Sequence, residues 1–386
     1  MIYSNRLKNR CLLILLLIFW VSPLFSQAPK EKQESLEALN FVFEGGNEDY
    51  KCFRIPAVVT TNNGTLLAFA EGRKNGCSDT GDIDLVMKRS TDGGKTWGKL
   101  EVLWHDEGNT CGNPSPVVDR VTGNIFLLST WNLGTDHESD IIVQKSRDTR
   151  RVFILKSTND GKSWSKPKEI TSDVKLPNWT WYATGPGSGI QILGGKYKGR
   201  LVIACDHIEA VTKKYYSHVI FSDDHGSTWE LGGISPRDQV NECEVVELSD
   251  HRLMLNMRNY DRKMVSRQLA YSNDGGESWK DMHHHEALVE PICQASTLRL
   301  DVEEQVYVLF ANPADDKKRA NMTIRLSKDD GKSWPFAKQI YSGPSAYSDL
   351  TAMDGKNIGI FYEGGQESAY EGIIWETLSL TELLEK

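Results

Sequence analysis

The 386-residue sequence predicts an all-β fold, a six-bladed β-propeller, and three observations predict it. One eight-residue string occurs five times: STDGGKTW from Ser90, STNDGKSW from Ser157, SDDHGSTW from Ser222, SNDGGESW from Ser272 and SKDDGKSW from Ser327. An alternating apolar run leads into every copy. The copies start 50 to 67 residues apart in a chain with 32 Gly and 11 Trp, which suits many turns and packed tips. A period of this size marks repeat units that bury their faces only against neighbours.

Each string reads as a tight hairpin tip. A Ser, an Asp, a Gly, a Ser or Thr and a Trp hold fixed places, with Asn159 replacing Asp in the second copy. Asp and Ser side chains satisfy backbone groups locally, Gly takes a backbone conformation closed to other residues, and Trp is expected to pack the turn against its own sheet. The flanking runs are Leu85-Val86-Met87, Val152 to Leu155, His218 to Phe221, Gln268 to Tyr271 and Met322 to Leu326, and each reads as a strand. This self-contained chemistry makes the boxes shapers of blades rather than contacts for a ligand. Five boxes leave room for a sixth blade, closed by an N-terminal strand near Phe41-Val42-Phe43 and by Ile358 to Tyr362 and Ile373 to Leu378.

Residues 1–26 carry Arg6, Lys8 and Arg10, then the apolar run Cys11 to Val21, then Ser22 to Ser26, the pattern of an export signal and too short for a membrane span. An exported chain, periplasmic or secreted, is expected, with an uncleaved anchor as the alternative. Residues 27–40 read as a polar N-terminal arm and 41–386 as one propeller domain. The net charge of −8 falls to −11 if the three basic residues of the signal are removed. Nucleic acid is excluded as a partner on that balance, and an anionic ligand must be held by a local arginine cluster against the overall field.

Six cysteines follow the signal: Cys52, Cys77, Cys111, Cys205, Cys243 and Cys293. An even number in an exported chain permits disulfides, although a core of about 360 residues does not need them. No CxxC occurs, so redox and zinc readings are poor, and Cys205 in the apolar run from Leu201 reads as a buried thiol. His283-His284-His285 reads as a solvated turn whose rings point different ways rather than as a metal site. No cofactor and no metal are expected.

Arg54 lies between apolar residues in Phe53-Arg54-Ile55-Pro56, on an expected strand. A buried guanidinium must pair with an acid or hold an anion. With the five boxes, this tetrapeptide makes the chain resemble the bacterial exo-α-sialidases (neuraminidases) of glycoside hydrolase family thirty-three, in which an arginine within FRIP or YRIP precedes a set of Asp boxes, also called BNR repeats. The likeness runs from about Asn47 to Leu378.

That resemblance implies the site. In Ala70-Glu71-Gly72-Arg73 and the loop after it, Arg73 matches the family's second arginine, and Asp79 matches the general acid/base, with Asp82 and Asp84 as competitors. Glu242, in Asn241-Glu242-Cys243-Glu244, matches the carboxylate that activates the nucleophile; Glu244, two residues on and on the same strand face, is its alternative. Arg258 in NMRNY and Arg319 before Ala320-Asn321-Met322 complete an arginine triad with Arg54, while Arg262, Arg267 and Arg325 lack that context. Tyr347 in AYSDL matches the nucleophile, and Glu363 matches the carboxylate that orients Arg54. The polar insertion from Trp131 to Arg151 is expected to wall the pocket; Arg150 and Arg151 face opposite ways on a strand, so at most one points inward, and neither is assigned. Trp179 to Gly187 and Asp206-His207 are rim candidates.

These residue types suit one reaction. A sialic acid bears a carboxylate on its anomeric carbon, which three guanidiniums grip with planar, charge-assisted hydrogen bonds. The same carboxylate repels an anionic nucleophile, whereas a neutral phenol approaches and yields its proton to Glu242 as bonding begins. Asp79 would protonate the leaving oxygen and then activate water, giving retention. The expectation is hydrolysis of terminal sialic acid from glycoproteins, glycolipids or oligosaccharides, by a monomer without membrane insertion. Transfer to another sugar, or intramolecular release of an anhydro sugar, would use the same residues. A sialic-acid-binding lectin would need the arginines without a complete Tyr, Glu and Asp set.

Overall fold

The computed structural model describes residues 39–385, so the expected signal and all but the last two residues of the expected arm lie outside the described residues. Six four-stranded antiparallel units follow one another. The first four are Cys52–Thr60, Leu66–Arg73, Ile83–Ser90 with Glu101–Trp104; Thr110–Val118, Ile125–Asn132, Arg151–Ser157 with Lys168–Glu169; Trp179–Thr184, Leu201–Glu209, Tyr215–Ser222 with Glu230–Ile234; and Val240–Glu247, Leu253–Asn259, Ser266–Ser272 with Lys280–Val289. The fifth is Ser296–Val302, Gln305–Pro313, Ala320–Ser327 and the first half of the long strand Phe336–Ala352. The second half of that strand, with Asn357–Gly364, Gly372–Ser379 and the N-terminal Phe41–Glu44, makes the sixth, as expected for a blade shared by both ends of the chain. Blades one and six meet where Val58 N donates to Asp349 Oδ2 (2.7 Å) and Thr60 N to Thr351 Oγ1 (3.1 Å). The fold is a β-propeller.

Every box-flanking run is a strand, and every box turn closes on itself. The box Ser Oγ accepts from the Gly amide four residues on, at 2.8 to 3.0 Å in the five copies. In four copies the box Asp accepts from both the amide and the hydroxyl of the Ser or Thr four residues later, as Asp224 does from Thr228. Asn159 reproduces the amide contact (Ser163 N, 3.0 Å) and donates to the hydroxyl instead (2.8 Å). The glycine is needed twice over: Gly226 has φ +77°, and a Cβ there would stand 2.3 Å from the Phe126 ring of the preceding blade.

That approach corrects one expectation. The box tryptophans do not simply pack on their own sheets. Trp164 meets Phe69 of blade one edge-on at 5.8 Å, Trp229 meets Phe126 of blade two at 6.2 Å, and Trp97 meets Trp375 of blade six at 5.6 Å. A propeller blade has no hydrophobic partner but its neighbour, so the largest side chain at each tip goes to that seam. The apolar clusters follow the same seams; one joins Phe126 and Leu128 of blade two to Leu201 and Ile203 of blade three. Fully burying one such side chain contributes roughly 2–3 kcal/mol.

Strand direction then decides where chemistry can gather. In each blade the first strand starts, and the second ends, on one rim, while in the first five blades the box follows the third strand on the opposite rim. Arg54 and Glu242 lie near the starts of first strands, as Tyr347 does in the half-strand that serves blade six; Arg73, Arg258 and Glu363 lie near the ends of second strands. All six therefore reach the rim that carries no box.

One further expectation changes. His283 to His285 lie in the strand Lys280–Val289, not in a turn; their rings do point apart, with His283 stacked on Tyr271 and His285 against Trp334. Cys52 and Cys77 form a disulfide, and Cys111, Cys205, Cys243 and Cys293 are buried thiols. The bridge ties a loop rather than the core. Among the described residues no helix is long and apolar enough to cross a membrane.

Candidate active site

The pocket on that rim gathers Arg54, Arg73, Arg258, Arg319, Asp79, Glu242 and Tyr347 from four blades and the loops beside them. Local backbone irregularity aims the first of these. Ile55 has φ 60°, a left-handed conformation costly for a β-branched residue, and the strand register slips between Arg54 and Ala57. Asn113 before Pro114 in blade two repeats the device, with φ 52° and a slip between Gly112 and Ser115. The bulge turns Arg54 onto Glu363, which accepts from Nε and Nη2 at 3.0 Å each and from the Ile55 amide at 2.9 Å.

The other arginines are held differently. Arg73 is gripped by Glu71 (2.9 and 2.5 Å), whose second oxygen accepts from Asn113 N (2.8 Å). Arg258 contacts Glu242 and the Tyr347 hydroxyl, the latter at 3.0 Å. Among the described residues Arg319 has no carboxylate partner; it donates to Tyr370 Oη (2.8 Å) and Ile292 O (3.2 Å). One face of the cluster thus lies open to an anion.

Tyr347 is 5% exposed, and its hydroxyl is hydrogen-bonded to Glu242 Oε1. Burial first, and Glu242 second, push its ionisation well above the usual phenol value, outweighing Arg258, Arg54 and Arg319. The phenol is therefore neutral at rest, with a proton acceptor in contact. Asp79 has a side chain 67% exposed and is held by Arg73 (2.7 Å) and Arg54 (3.3 Å). Desolvation opposes its ionisation, yet the two guanidiniums prevail and keep its carboxyl below the usual range.

The competitors fall elsewhere. Asp84 is buried under the Tyr50 hydroxyl (2.6 Å), His105 (2.7 Å) and Lys74 (3.2 Å), and Asp82 faces Lys74 at 3.8 Å; neither lines the pocket. Asp82, Asp84 and His105 lie close enough to share a cation, but the Lys74 ammonium already occupies that role. Glu244 is buried below the pocket, accepting from Thr297 N (2.6 Å). Arg267 is fully buried on Glu290 and Asn256, and Arg262 also pairs with Glu290.

Several pocket groups were left unassigned by sequence. Arg150 points inward, its guanidinium 4.0 Å from the Trp181 ring and bonded to Asn113, Asn132 (2.8 Å) and Thr130 (3.2 Å), while Arg151 turns out to Asp148 and Glu169. Alternation on a strand allowed one inward arginine but not the choice between them. Glu71 was visible two residues before Arg73, on the same strand face. Of the rim candidates, Trp181 and Asp206 reach the pocket, whereas His207 is buried on Trp179 at 3.4 Å. Asp206 is 1% exposed with neither oxygen hydrogen-bonded, and burial drives its carboxyl toward the neutral form.

Five guanidiniums of the pocket face four carboxylates, those of Glu71, Asp79, Glu242 and Glu363, while Asp206 and Glu138 are pushed toward neutrality chiefly by desolvation. A chain of net charge −8 has gathered five guanidiniums into one pocket.

One rim of the β-propeller thus brings together a caged tyrosine, an arginine cluster and two carboxylates, and comparison places the chain in a family. Residues 64–361 match the BNR repeat-like domain. The chain is 34% identical to a sialidase of Bacteroides fragilis over 83% of its length and 62% of the relative's. It is 30% identical to an exo-alpha-sialidase of Aspergillus fumigatus over 87% and 86% of the two lengths. A solved Hadza microbial sialidase superposes with a TM-score of 0.80 at 31% identity, covering 89% of this chain and 69% of that one. The chain spans 62% and 52% of the Bacteroides and Micromonospora viridifaciens relatives. It belongs to the BNR-repeat sialidase family.

Proposed function

We propose that the protein is an exo-α-sialidase, hydrolysing terminal α-linked sialic acids from glycoproteins, glycolipids or oligosaccharides by a retaining, two-step displacement. The observation that carries this reading is the Tyr347 hydroxyl in contact with both Glu242 and Arg258, inside the arc of Arg54, Arg258 and Arg319. The three guanidiniums would take the substrate carboxylate, with Arg54 preset by Glu363 and Arg319 lacking any competing acid. Glu242 would accept the phenol proton as Tyr347 oxygen bonds to the anomeric carbon, and Asp79 would protonate the departing oxygen, then deprotonate the water that breaks the sialosyl-tyrosine bond.

The resting contacts of Asp79 add a control. A carboxylate substrate arriving at Arg54 competes with Asp79 for the same guanidinium and brings its own negative charge, both of which raise the carboxyl's pKa. Substrate binding would therefore create the protonated acid that the first step needs. We place the enzyme outside the cytoplasm, periplasmic or secreted, on the charged-then-apolar pattern of residues 1–26, and acting as a monomer.

Incubation with sialyllactose, followed by proton NMR, tests the reading: α-sialic acid is expected as the first product. An initially β-configured product would sink retention, an anhydro sugar or a transferred sialoside would move the protein to a rival reaction, and binding without turnover would make it a lectin.

A further inference from the structure

We infer that the Cys52–Cys77 disulfide is a positioning device for Asp79, keeping the acid on station when substrate displaces its ionic anchors. The inference rests on the hydrolase reading above. Asp79 sits in the loop of residues 74–82, between the strands Leu66–Arg73 and Ile83–Ser90. Lys-Asn-Gly-Cys-Ser-Asp-Thr-Gly-Asp contains no side chain large and apolar enough to anchor it by burial, and Gly76 and Gly81 take φ 141° and 131°. Such a loop is loose by composition.

Its attachments fall into two groups. The base is pinned by Lys74 N to Asp82 O (3.1 Å) and by Gly81 N to Thr110 Oγ1 (3.2 Å). The tip is held by Arg73 and Arg54 on the Asp79 carboxylate, by Arg73 Nη1 on Cys77 O (2.7 Å), and by the disulfide. Cys52 opens the strand that carries Arg54 two residues on, and Cys77 lies two residues before Asp79. The bridge thus ties the acid directly to the strand that aims the substrate's carboxylate.

The ionic anchors fail when they are most needed. Substrate takes Arg54, and protonation of Asp79 discharges its pull on Arg73. The covalent tie survives both events. It is also reachable: Cys52 is buried but Cys77 is exposed, while the other four described cysteines are buried.

Leaving-group dependence separates positioning from mere stability. Departure of a sugar alcohol needs the proton from Asp79, whereas an activated aryl leaving group departs with little help. Dithiothreitol, which closes to its own cyclic disulfide as it delivers the two thiols, or the Cys77→Ser substitution, is expected to lower kcat on sialyllactose by roughly 10- to 100-fold. On a nitrophenyl sialoside kcat should fall less than about 3-fold, with KM little changed on either. In an Asp79→Ala background, breaking the bridge should cost nothing further, because no acid remains to be placed. Equal losses on the two substrates, or a fresh loss in the Asp79→Ala enzyme, would overturn the inference and leave the bridge a staple. No turnover of either substrate by the oxidised enzyme would overturn the hydrolase reading, and this inference with it.

Discussion

The two rims of the propeller solve opposite problems with the same residue types. On one rim, the Asp at the third position of four boxes bonds to groups two to four residues away in sequence, as Asp92 does with Ser90 and Thr96, while the neighbouring Asp160 and Asp330 tie their turns to Thr65 and Ser249 of the adjacent blades. On the other, Glu363 serves Arg54 from 309 positions away, and Glu242 reaches Tyr347 across 105. A turn that satisfies itself has nothing left to offer a ligand. A cluster assembled from distant strands is satisfied only in part: among the described residues Arg319 lacks an acid and Asp206 accepts no hydrogen bond, and Asp79 is held by charges a substrate can take. The difference teaches that local satisfaction makes the scaffold and incomplete long-range satisfaction makes the site.

Four perturbations test that contrast, beginning with the largest. Tyr347→Phe keeps the ring that packs beside Arg54 and removes only the hydroxyl shared by Glu242 and Arg258. Turnover is expected to fall by about 10³-fold or more while the melting temperature holds, read by initial rates and thermal unfolding. Arg319→Ala should weaken substrate by about 2–3 kcal/mol, roughly 30- to 150-fold in kcat/KM, since its guanidinium has no carboxylate to leave orphaned. A variant as active as the parent would break the proposed carboxylate seat.

Gly226→Ala, on the box rim, inverts the pattern. The strained φ and the clash with Phe126 should cost roughly 2–4 kcal/mol of stability, measured by denaturant unfolding, with kcat unchanged in the folded fraction. The smallest effect is expected from Asp92→Asn. Hydrogen bonds from Thr96, then Ser90, hold the Asp92 carboxyl at about 2, below the usual aspartate value near 3.9. A depressed pKa contributes stability that is whole above about pH 4 and is lost as pH falls toward about 2. The asparagine, which copy two already carries as Asn159, should cost a little stability at neutral pH and soften the decline in acid.

Asp79 offers a pH test on the other rim. Its ionisation, held low in the free enzyme by Arg73 and Arg54, should appear below the usual carboxylate range in kcat/KM and move upward in kcat, where bound substrate occupies Arg54. Identical profiles would mean that substrate never competes for that arginine.

The same contrast explains what could be read from sequence. Boxes were legible because their chemistry is local and repeated, and the strands before them because alternation is a two-residue period. The blade shared by Phe41–Glu44 and the C-terminal strands was legible by counting. Pocket residues were legible only through motif context such as AYSDL or NMRNY, since a lone tyrosine or arginine on a strand looks like any other. Arg150 could not be chosen over Arg151, because facing depends on register that only the bulge-bearing inner strands determine. Trp334 does meet Phe310 of its own blade, but the contacts of Trp97, Trp164 and Trp229 with the blade before were missed for a related reason: a seam between blades leaves no mark within either one. The Cys52–Cys77 pairing likewise joins the start of a strand to a loop, a pair that six cysteines at irregular spacing do not single out.

The central claim, that Tyr347 is the nucleophile of a retaining sialidase, is tested most directly by a 3-fluoro sialosyl fluoride. Its fluorine at C3 slows hydrolysis of the intermediate, while fluoride leaves C2 readily. Peptide mass mapping after brief incubation should find one sialosyl group on Tyr347, formed with the release of one fluoride. A label on Glu242, or full activity with no label, would contradict the account.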